Sequence, residues 1–207
     1  MKTIDNNVQN IYLVRHGKPR LPYQRMYYGR VDYPLSEEGE ASAEALGRAL
    51  AGMKFGHVYT SALLRARQTL LLARPDLYGK ALPVAELNEI DLGAWEGRTF
   101  DEVRDEWNKI YEARGRDFAH VAPPFGESFA DVQKRTVPAF EKLLNRCKTG
   151  DILIVAHGGA IWTLMCHYFG LDLNDIFYYL MEYCGVHKLQ RSGGFMKLVR
   201  YNWSPTL

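Results

Sequence analysis

Short apolar runs alternate with segments of helical spacing along this chain, and that order constrains the fold more than any other feature. Four brief β-rich runs, each bounded by loop residues, are predicted strands. They cover residues 11–14, 58–60, 82–85 and 151–156. Segments of helical spacing follow at residues 37–53, 62–74, 100–114, 128–147 and 160–168. Strands that alternate with helices predict a three-layer α/β/α fold with a mostly parallel sheet.

The ends of these elements add detail. Ser36 and Ser61 precede helical segments and are predicted N-caps, because a serine hydroxyl accepts a hydrogen bond from the first helical turn. Two further strands, at residues 185–190 and 195–201, flank a turn at residues 192–194. The sheet should therefore end in an antiparallel hairpin, and an exposed strand there would permit a homodimer.

Composition narrows the class of protein. The 207 residues are 47% hydrophobic, the balance of an ordinary globular protein. At roughly 150 residues per domain, this length predicts one domain over residues 1–207. Without a repeat or a low-complexity linker, a second domain reduces to a lid-like insertion at about residues 95–133. The net charge is +2 and no basic run stands out, so nucleic acid is not an expected partner. No apolar run approaches the roughly 20 residues that span a bilayer, so no membrane partner is expected. Three scattered cysteines favour a reducing cytoplasm.

Polar residues stand where three of the predicted strands end. Arg15-His16-Gly17 follows the first strand, and His157-Gly158-Gly159 follows the fourth. Ser61 follows the second strand, with Arg65 one helical turn further on. Ligands bind at this edge of parallel sheets. Arginines offer paired donors to phosphate oxygens, glycines let backbone N–H groups approach them, and a neutral imidazole is a nucleophile. Together these groups predict a site for a tetrahedral dianion, although each alone is compatible with a structural role.

Four segments, in order along the chain, resemble the signature of the histidine phosphatase superfamily in its phosphoglycerate mutase-like branch. The first is Leu13-Val14-Arg15-His16-Gly17. Residues 61–69 are similar to its S-x-L-x-R-A-x-Q-T segment, residues 87–97 to its L-x-E-x-x-x-G-x-W-E-G loop, and residues 155–159 to its V-x-H-G-G segment. Four ordered motifs are far more specific than one triplet.

The resemblance implies a role for each residue of the site. His16 would be the nucleophile and would pass through a phosphohistidine intermediate. Arg15, Arg65 and His157 would hold the phosphate oxygens, and Glu89 would donate a proton to the leaving alcohol. Because these groups supply the positive charge that a transferring phosphoryl group requires, neither a metal ion nor another cofactor is expected.

Four further residues are expected to bind substrate. Gly17 and Gly158 would bring backbone N–H groups to the phosphate, while Tyr28 and Gly29 match positions that touch substrate in the family. Aromatic residues of the 95–133 insertion could stack on a ring of the substrate or form the hydrophobic underside of the lid.

The chain departs from the family pattern directly after Arg15-His16-Gly17. An acidic residue and then Thr or Ser usually follow, and the hydroxyl can help to hold phosphate, whereas Lys18 and Pro19 follow here. Lys18 is expected either to supply a compensating charge or to point to solvent. The departure bears on affinity and substrate choice, because the Arg15-His16 pair is intact.

Three features favour a phosphatase over a mutase. The chain is shorter than the cofactor-dependent mutases it resembles. Residues 29–36 resemble the G-x-x-D-x-P-L-[ST] segment of the alpha-ribazole phosphatases and their broad-specificity relatives, and residues 124–128 resemble their P-x-G-E-S loop. We therefore expect a phosphomonoesterase for a small-molecule phosphate ester, with alpha-ribazole 5′-phosphate as one candidate. A phosphoglycerate mutase and a non-catalytic phosphate-ester binding protein are the alternatives.

Overall fold

A computed structural model describes residues 8–179 and 181–204 of the chain. Within them, six strands form one sheet. The strands are β1 (Gln9–Arg15), β2 (His57–Thr60), β3 (Leu82–Pro83), β4 (Ile152–Ala156), β5 (Val186–Ser192) and β6 (Phe195–Trp203). Their order across the sheet is β3-β2-β4-β1-β5-β6.

The pairing of the strands confirms the predicted sheet. Strands β3, β2, β4 and β1 pair in parallel, whereas β5 and β6 form the antiparallel hairpin at the other side. In the register of β1 and β4, Ile11 lies opposite Ile152 and Arg15 lies opposite Ala156. Both strands therefore end at the same level, and the chain leaves them side by side at His16 and at His157.

Helices cover both faces of the sheet. They are α1 (Glu37–Ala49), α2 (Leu64–Ala73), α3 (Pro75–Tyr78), α4 (Phe100–Glu106), α5 (Asn108–Arg116), α6 (Phe129–Arg146) and α7 (Gly158–Phe169). Side chains alternate along β1, so Ile11 and Leu13 pack with α6 and α7 on one face. Tyr12 and Val14 pack with α1 and α2 on the other. The three-layer α/β/α architecture is confirmed, and all three cysteines are free and buried in these two cores.

Two predicted details of the helices differ. Ser36 caps α1 as predicted, but Ser61 does not cap α2. That helix begins at Leu64, whose N–H donates to the Asp32 carboxylate at 2.6 Å, and the Ser61 hydroxyl turns to His157 instead. The predicted helix over residues 100–114 is two helices, because the backbone of Trp107 leaves helical geometry between α4 and α5. Among the described helices, none is long and apolar enough to cross a membrane.

Candidate active site

The parallel strands β1, β2 and β4 end together, and the residues that follow them form one cluster. These residues are His16, Ser61 and His157. The ring centroids of the two histidines are 4.9 Å apart, and the Ser61 Oγ lies 2.6 Å from the His157 Nε2. The structure thus brings together the polar groups of these strand ends, while their catalytic roles stay predictions.

His16 is buried in a defined hydrogen-bonding state. Its Nδ1 lies 2.7 Å from the Gly17 carbonyl oxygen, which can only accept, so Nδ1 carries the ring proton. Its Nε2 accepts from the Nε of Arg65 at 3.2 Å, so Nε2 holds a lone pair. Burial, together with the Arg65 and Arg15 cations, lowers the pKa of His16 well below its usual value. His16 is therefore a neutral imidazole whose Nε2 lone pair accepts the hydrogen bond from Arg65.

Arg65 is fully buried beside this nitrogen. Its two terminal nitrogens donate to the loop that follows the nucleophile, Nη1 to the Val31 carbonyl at 3.0 Å and Nη2 to the Gly29 carbonyl at 2.6 Å. Burial lowers the pKa of Arg65, but a guanidinium stays charged near neutral pH. The two carbonyls hold the orientation of the guanidinium, so a fixed positive charge borders the Nε2 of His16.

Arg15 and His157 each carry a buried nitrogen that no described residue pairs, namely the Arg15 Nε and the His157 Nδ1. Arg15 Nη1 donates to the Met181 carbonyl, and His157 Nε2 contacts the Ser61 hydroxyl. Burial is the main cause that lowers the pKa of His157. Buried polar groups normally have partners, so these two nitrogens are the unpaired polar atoms of the predicted site, and their contact with phosphate stays a prediction.

Glu89 lines the same cavity as Arg15 and His16. Its Oε2 accepts from the Gly159 N–H at 3.1 Å, at the first turn of α7, and its Oε1 accepts from the Ile90 N–H at 3.0 Å. A Cβ at Gly159 would lie 2.3 Å from the Glu89 Oε1, so only glycine lets the carboxyl group approach this closely. Arg135 secures the loop by donating to the Glu89 carbonyl oxygen at 2.9 Å.

Two of the predicted substrate-binding glycines use their backbone groups within the protein. The Gly17 N–H donates to the Thr69 Oγ1 at 2.9 Å, and the Gly29 N–H donates to the Glu96 carboxylate at 2.9 Å. A Cβ at Gly29 would lie 2.0 Å from the Ile90 carbonyl oxygen. Both glycines therefore position the site, and their contact with substrate stays a prediction.

A cavity of about 360 Å³ opens above these groups. The predicted site residues that line it are Arg15, His16, Tyr28, Glu89 and Gly158. The rest of its wall is mostly apolar or aromatic and comprises Tyr27, Ile90, Leu92, Arg114, Phe118, Phe129, Gly159, Ile176, Phe177, Tyr179 and Met181. Part of this wall belongs to a hydrophobic cluster that includes Trp107 and Tyr111. Aromatic residues of the 95–133 region thus build the wall, while a lid function stays a prediction.

Lys18 points away from the site. Its ammonium pairs with the Glu38 carboxylate, and both side chains are about half exposed or more. Pro19 is buried and bridges to Leu35. Of the two expectations for Lys18, the solvent-facing one is confirmed, so its charge does not replace the hydroxyl that the family pattern usually supplies.

The described residues contain no group of three or more His, Cys, Asp or Glu side chains arranged to hold a metal ion. The candidate site instead combines two arginines, two neutral histidines and one carboxyl group. These groups lie at the carboxyl edge of an α/β sheet, where ligands bind in folds of this kind.

The family model of the histidine phosphatase superfamily (branch 1) matches residues 11–204. The chain belongs to this superfamily. A 2,3-bisphosphoglycerate-dependent phosphoglycerate mutase of Bartonella quintana is 34% identical over an alignment of 177 positions, which covers 81% of this chain and 85% of that one. Among solved structures, the alpha-ribazole phosphatase of Shigella flexneri has a TM-score of 0.85 at 26% identity and covers 94% of this chain and 96% of its own. Bacillus stearothermophilus YhfR has a TM-score of 0.83 at 31% identity, and the match covers 92% of this chain and 95% of YhfR.

These similarities remove one argument made from the sequence. The same alignment covers 81% of this chain and 85% of the Bartonella mutase, so that mutase is about as long as this chain. Chain length therefore does not separate a phosphatase from the mutases that this sequence resembles.

Several residues that shape the site were not predicted from the sequence in these roles. Ser61 was predicted at the end of the second strand, but as a helix cap, and its contact with His157 was not predicted. Glu96, Arg135 and Tyr183 hold other site residues. Glu96 could have been singled out, since it is the acidic residue of the W-E-G segment. Tyr183 lies outside all four motifs and carries no signal in the sequence.

Glu96 fixes the loop that orients Arg65. Its two carboxylate oxygens accept from four backbone N–H groups, those of Gly29, Arg30, Val31 and Leu92, at 2.6 to 3.2 Å. The carbonyls of Gly29 and Val31 then receive Arg65. The carboxylate therefore acts on the phosphate pocket through the backbone of this loop.

Replacing Glu96 by glutamine should reduce both stability and activity. The glutamine carbonyl oxygen still accepts, but its NH₂ group cannot, so the hydrogen bonds to one of the two oxygens are lost. We therefore expect a loss of about 2 kcal/mol in unfolding free energy and at least a roughly tenfold fall in kcat/KM. Urea unfolding and steady-state kinetics measure the two effects, and Glu112→Gln, at an exposed position, is the control. Destabilisation without any change in kcat/KM would show that the loop does not orient Arg65.

Acid should destabilise the protein through its buried histidines. Burial lowers the pKa of His16 and His157 well below the usual value and that of His187 to about 4. Below about pH 6.5 the unfolded chain binds protons that the folded chain does not, so stability is full above that pH and falls as the pH falls. Each such histidine contributes up to about 1.4 kcal/mol per pH unit.

Urea unfolding between pH 7 and pH 5 tests this dependence. His187→Asn is the matched variant, because His187 lies outside the candidate site and its Nδ1 accepts from the Asn202 N–H. The unfolding free energy of the variant should fall less steeply as the pH is lowered, because its unfolding takes up one proton fewer. An unfolding free energy that stays constant over this range would contradict the buried neutral state of the histidines.

Proposed function

We propose that this chain is a metal-independent phosphomonoesterase that hydrolyses a small-molecule phosphate ester through a phosphohistidine at His16. The observation that carries the proposal is the neutral His16, whose Nε2 lone pair borders the fixed Arg65 guanidinium. A phosphoryl group in transfer spreads negative charge over its equatorial oxygens, which guanidinium groups bind well. A nucleophile at this position therefore attacks a phosphorus atom whose oxygens are already held.

The reaction takes two steps. The Arg65 Nε–H leaves the His16 Nε2 and donates to a phosphoryl oxygen instead, which frees the Nε2 lone pair. The Nε2 then attacks phosphorus, and the bond from phosphorus to the leaving oxygen breaks. Arg15, Arg65 and His157 hold the phosphoryl oxygens, and Glu89 in its protonated form donates its proton to the leaving oxygen. Glu89, now a carboxylate, then takes a proton from water as the water attacks phosphorus. The phosphorus–nitrogen bond breaks, inorganic phosphate leaves, and His16 returns to its neutral form.

The wall of the cavity supports a leaving group with an apolar or ring-containing part. Phe118 and Phe177 pack edge to face at 4.8 Å, and Tyr179 lies beside them in the wall. Aromatic rings of this kind stack on other rings. The fold is that of the Shigella alpha-ribazole phosphatase, and residues 29–36 and 124–128 resemble segments of that class. Alpha-ribazole 5′-phosphate, which carries a ring in its leaving group, is the candidate substrate.

A phosphoglycerate mutase is the second candidate, favoured by the Bartonella relative and by one residue of the wall. A mutase returns the phosphoryl group to a glycerate that also carries a carboxylate. Arg114 is buried in the cavity wall and donates to the Val121 carbonyl. Its charge is suited to a second anionic group.

Product analysis separates the two candidates. The protein is incubated with an aryl phosphate plus a chelator and, separately, with 3-phosphoglycerate plus a trace of 2,3-bisphosphoglycerate. We expect release of inorganic phosphate that the chelator does not abolish. Formation of 2-phosphoglycerate faster than phosphate release would favour the mutase, whereas binding without turnover would favour a non-catalytic binding protein.

A further inference from the structure

Two tyrosine rings lie over the two arginines of the candidate phosphate pocket. The Arg15 Cζ is 4.0 Å from the centroid of the Tyr183 ring, and the Arg65 Cζ is 5.7 Å from the centroid of the Tyr28 ring. The hydroxyl oxygens of the two tyrosines are 2.6 Å apart, which is a hydrogen bond. The pair therefore links the loop after the nucleophile to the segment before β5.

The segment that carries Tyr183 is itself fastened to β1. The Cys184 N–H donates to the Arg15 carbonyl at 3.0 Å, and the Arg15 N–H donates to the Gly185 carbonyl at 3.1 Å. The Arg15 side chain also donates to the Met181 carbonyl. The position of the Tyr183 ring relative to His16, with centroids 5.8 Å apart, is thus fixed by the backbone.

The two tyrosines face different spaces. Tyr28 lines the cavity above His16, whereas Tyr183 lines a neighbouring pocket together with Lys18 and Pro19. When two hydroxyls share one hydrogen bond, the donor uses its proton and the acceptor keeps its own proton for another partner. If Tyr183 donates, the free proton belongs to Tyr28, on the side of the reaction cavity.

The Tyr28 hydroxyl is suited to donate there. Burial, with the neighbouring Tyr183 as a second cause, raises the pKa of Tyr28, so its proton is retained at neutral pH. Lys18 and Pro19 bring no hydroxyl to this pocket, and the Lys18 ammonium is paired with Glu38 on the outside.

We propose that Tyr183 is a positioning residue of the phosphate site, which stacks on Arg15 and donates to Tyr28 so that the Tyr28 hydroxyl donates to a phosphoryl oxygen. The inference rests on the proposed function for the identity of the anion. Tyr28 touches the substrate, and Tyr183 acts through Tyr28 and Arg15. The pair supplies the hydroxyl donor that the residues after Gly17 lack.

A double-mutant cycle tests this arrangement. Tyr28→Phe removes a hydrogen bond to a charged oxygen and should weaken orthovanadate inhibition and kcat/KM by about 10- to 100-fold. Tyr183→Phe keeps the ring on Arg15 and loses only the orienting hydroxyl, so a fall of roughly threefold to tenfold is expected. The double variant should be no worse than Tyr28→Phe, because the second hydroxyl acts only through the first. Effects that multiply in the double variant would overturn the proposal.

Two further variants complete the experiment. Tyr183→Leu removes the ring as well as the hydroxyl and should weaken phosphate binding more than Tyr183→Phe does, since Arg15 loses its stacking partner. Tyr178→Phe, at a side chain that is 85% exposed, is the matched control and should match the unaltered protein.

Calorimetric binding of inorganic phosphate separates this proposal from the proposed function. Weaker phosphate binding by Tyr28→Phe and Tyr183→Phe, in a protein without turnover, would support the tyrosine pair and contradict the esterase. Turnover in the unaltered protein with unchanged phosphate binding in both variants would contradict the tyrosine pair alone.

Discussion

His16→Ala should abolish hydrolysis of an aryl phosphate, with kcat reduced at least about a thousandfold. The reason is that, in the proposed mechanism, Nε2 forms the bond to phosphorus, and no remaining residue of the pocket can take over that attack. Steady-state release of inorganic phosphate, measured with and without a chelator, gives the effect. Orthovanadate binding should persist in part, because Arg15, Arg65 and His157 remain.

His120→Ala is the matched control for this loss. The His120 side chain is 72% exposed and pairs with Asp117, away from the cavity lining. The control should keep full activity. Residual turnover in His16→Ala within tenfold of the unaltered protein would mean that another group attacks phosphorus.

Glu89→Gln should produce an effect that depends on the leaving group. A glutamine cannot donate a carboxyl proton, so a poor leaving group such as an alkoxide should depart about 10²- to 10⁴-fold more slowly. A nitrophenolate leaves without a proton, so the first step with nitrophenyl phosphate should be much less affected. Single-turnover kinetics with an alkyl phosphate and with nitrophenyl phosphate measure the difference.

The control for Glu89→Gln is Glu86→Gln, an exposed glutamate on the same loop. Its kinetics should be unchanged for both esters. An equal loss for the alkyl and aryl substrates in Glu89→Gln would assign Glu89 a role in binding rather than in proton donation. In that case the Gly159 N–H, now its hydrogen-bond donor, would be the contact to examine next.

The sequence predicted the meeting of the strand ends because parallel pairing leaves little freedom there. Arg15 lies opposite Ala156 in the register, so His16 and His157 must emerge as neighbours. The alternation of strands with helices likewise predicted a sheet covered on both faces. In the structure Ile11 and Leu13 pack on one face, and Tyr12 and Val14 pack on the other. These features depend on local sequence patterns and on the regular geometry of a sheet, so they can be predicted from the sequence.

Residues that act across long separations in sequence were not predicted in the same way. Glu96 accepts a hydrogen bond from the backbone N–H of Gly29. Tyr183 packs on Arg15 and hydrogen-bonds to Tyr28, which lies 155 positions earlier in the chain. No local pattern predicts such contacts, because they depend on how loops from distant segments pack together. Ser61 is another example. Its position just before a helical segment predicted a helix cap, but in the structure its hydroxyl hydrogen-bonds to the Nε2 of His157, a residue 96 positions later.

The phosphorylated intermediate is the central claim, and rapid-quench trapping tests it directly. The protein is mixed with a ³²P-labelled phosphate ester in the presence of a chelator, quenched in alkali to preserve a phosphoramidate bond, and digested. We predict acid-labile label on the peptide that contains His16, formed and lost at rates consistent with turnover. Full-rate phosphate release with no label on protein, or with label on a residue other than His16, would contradict the account.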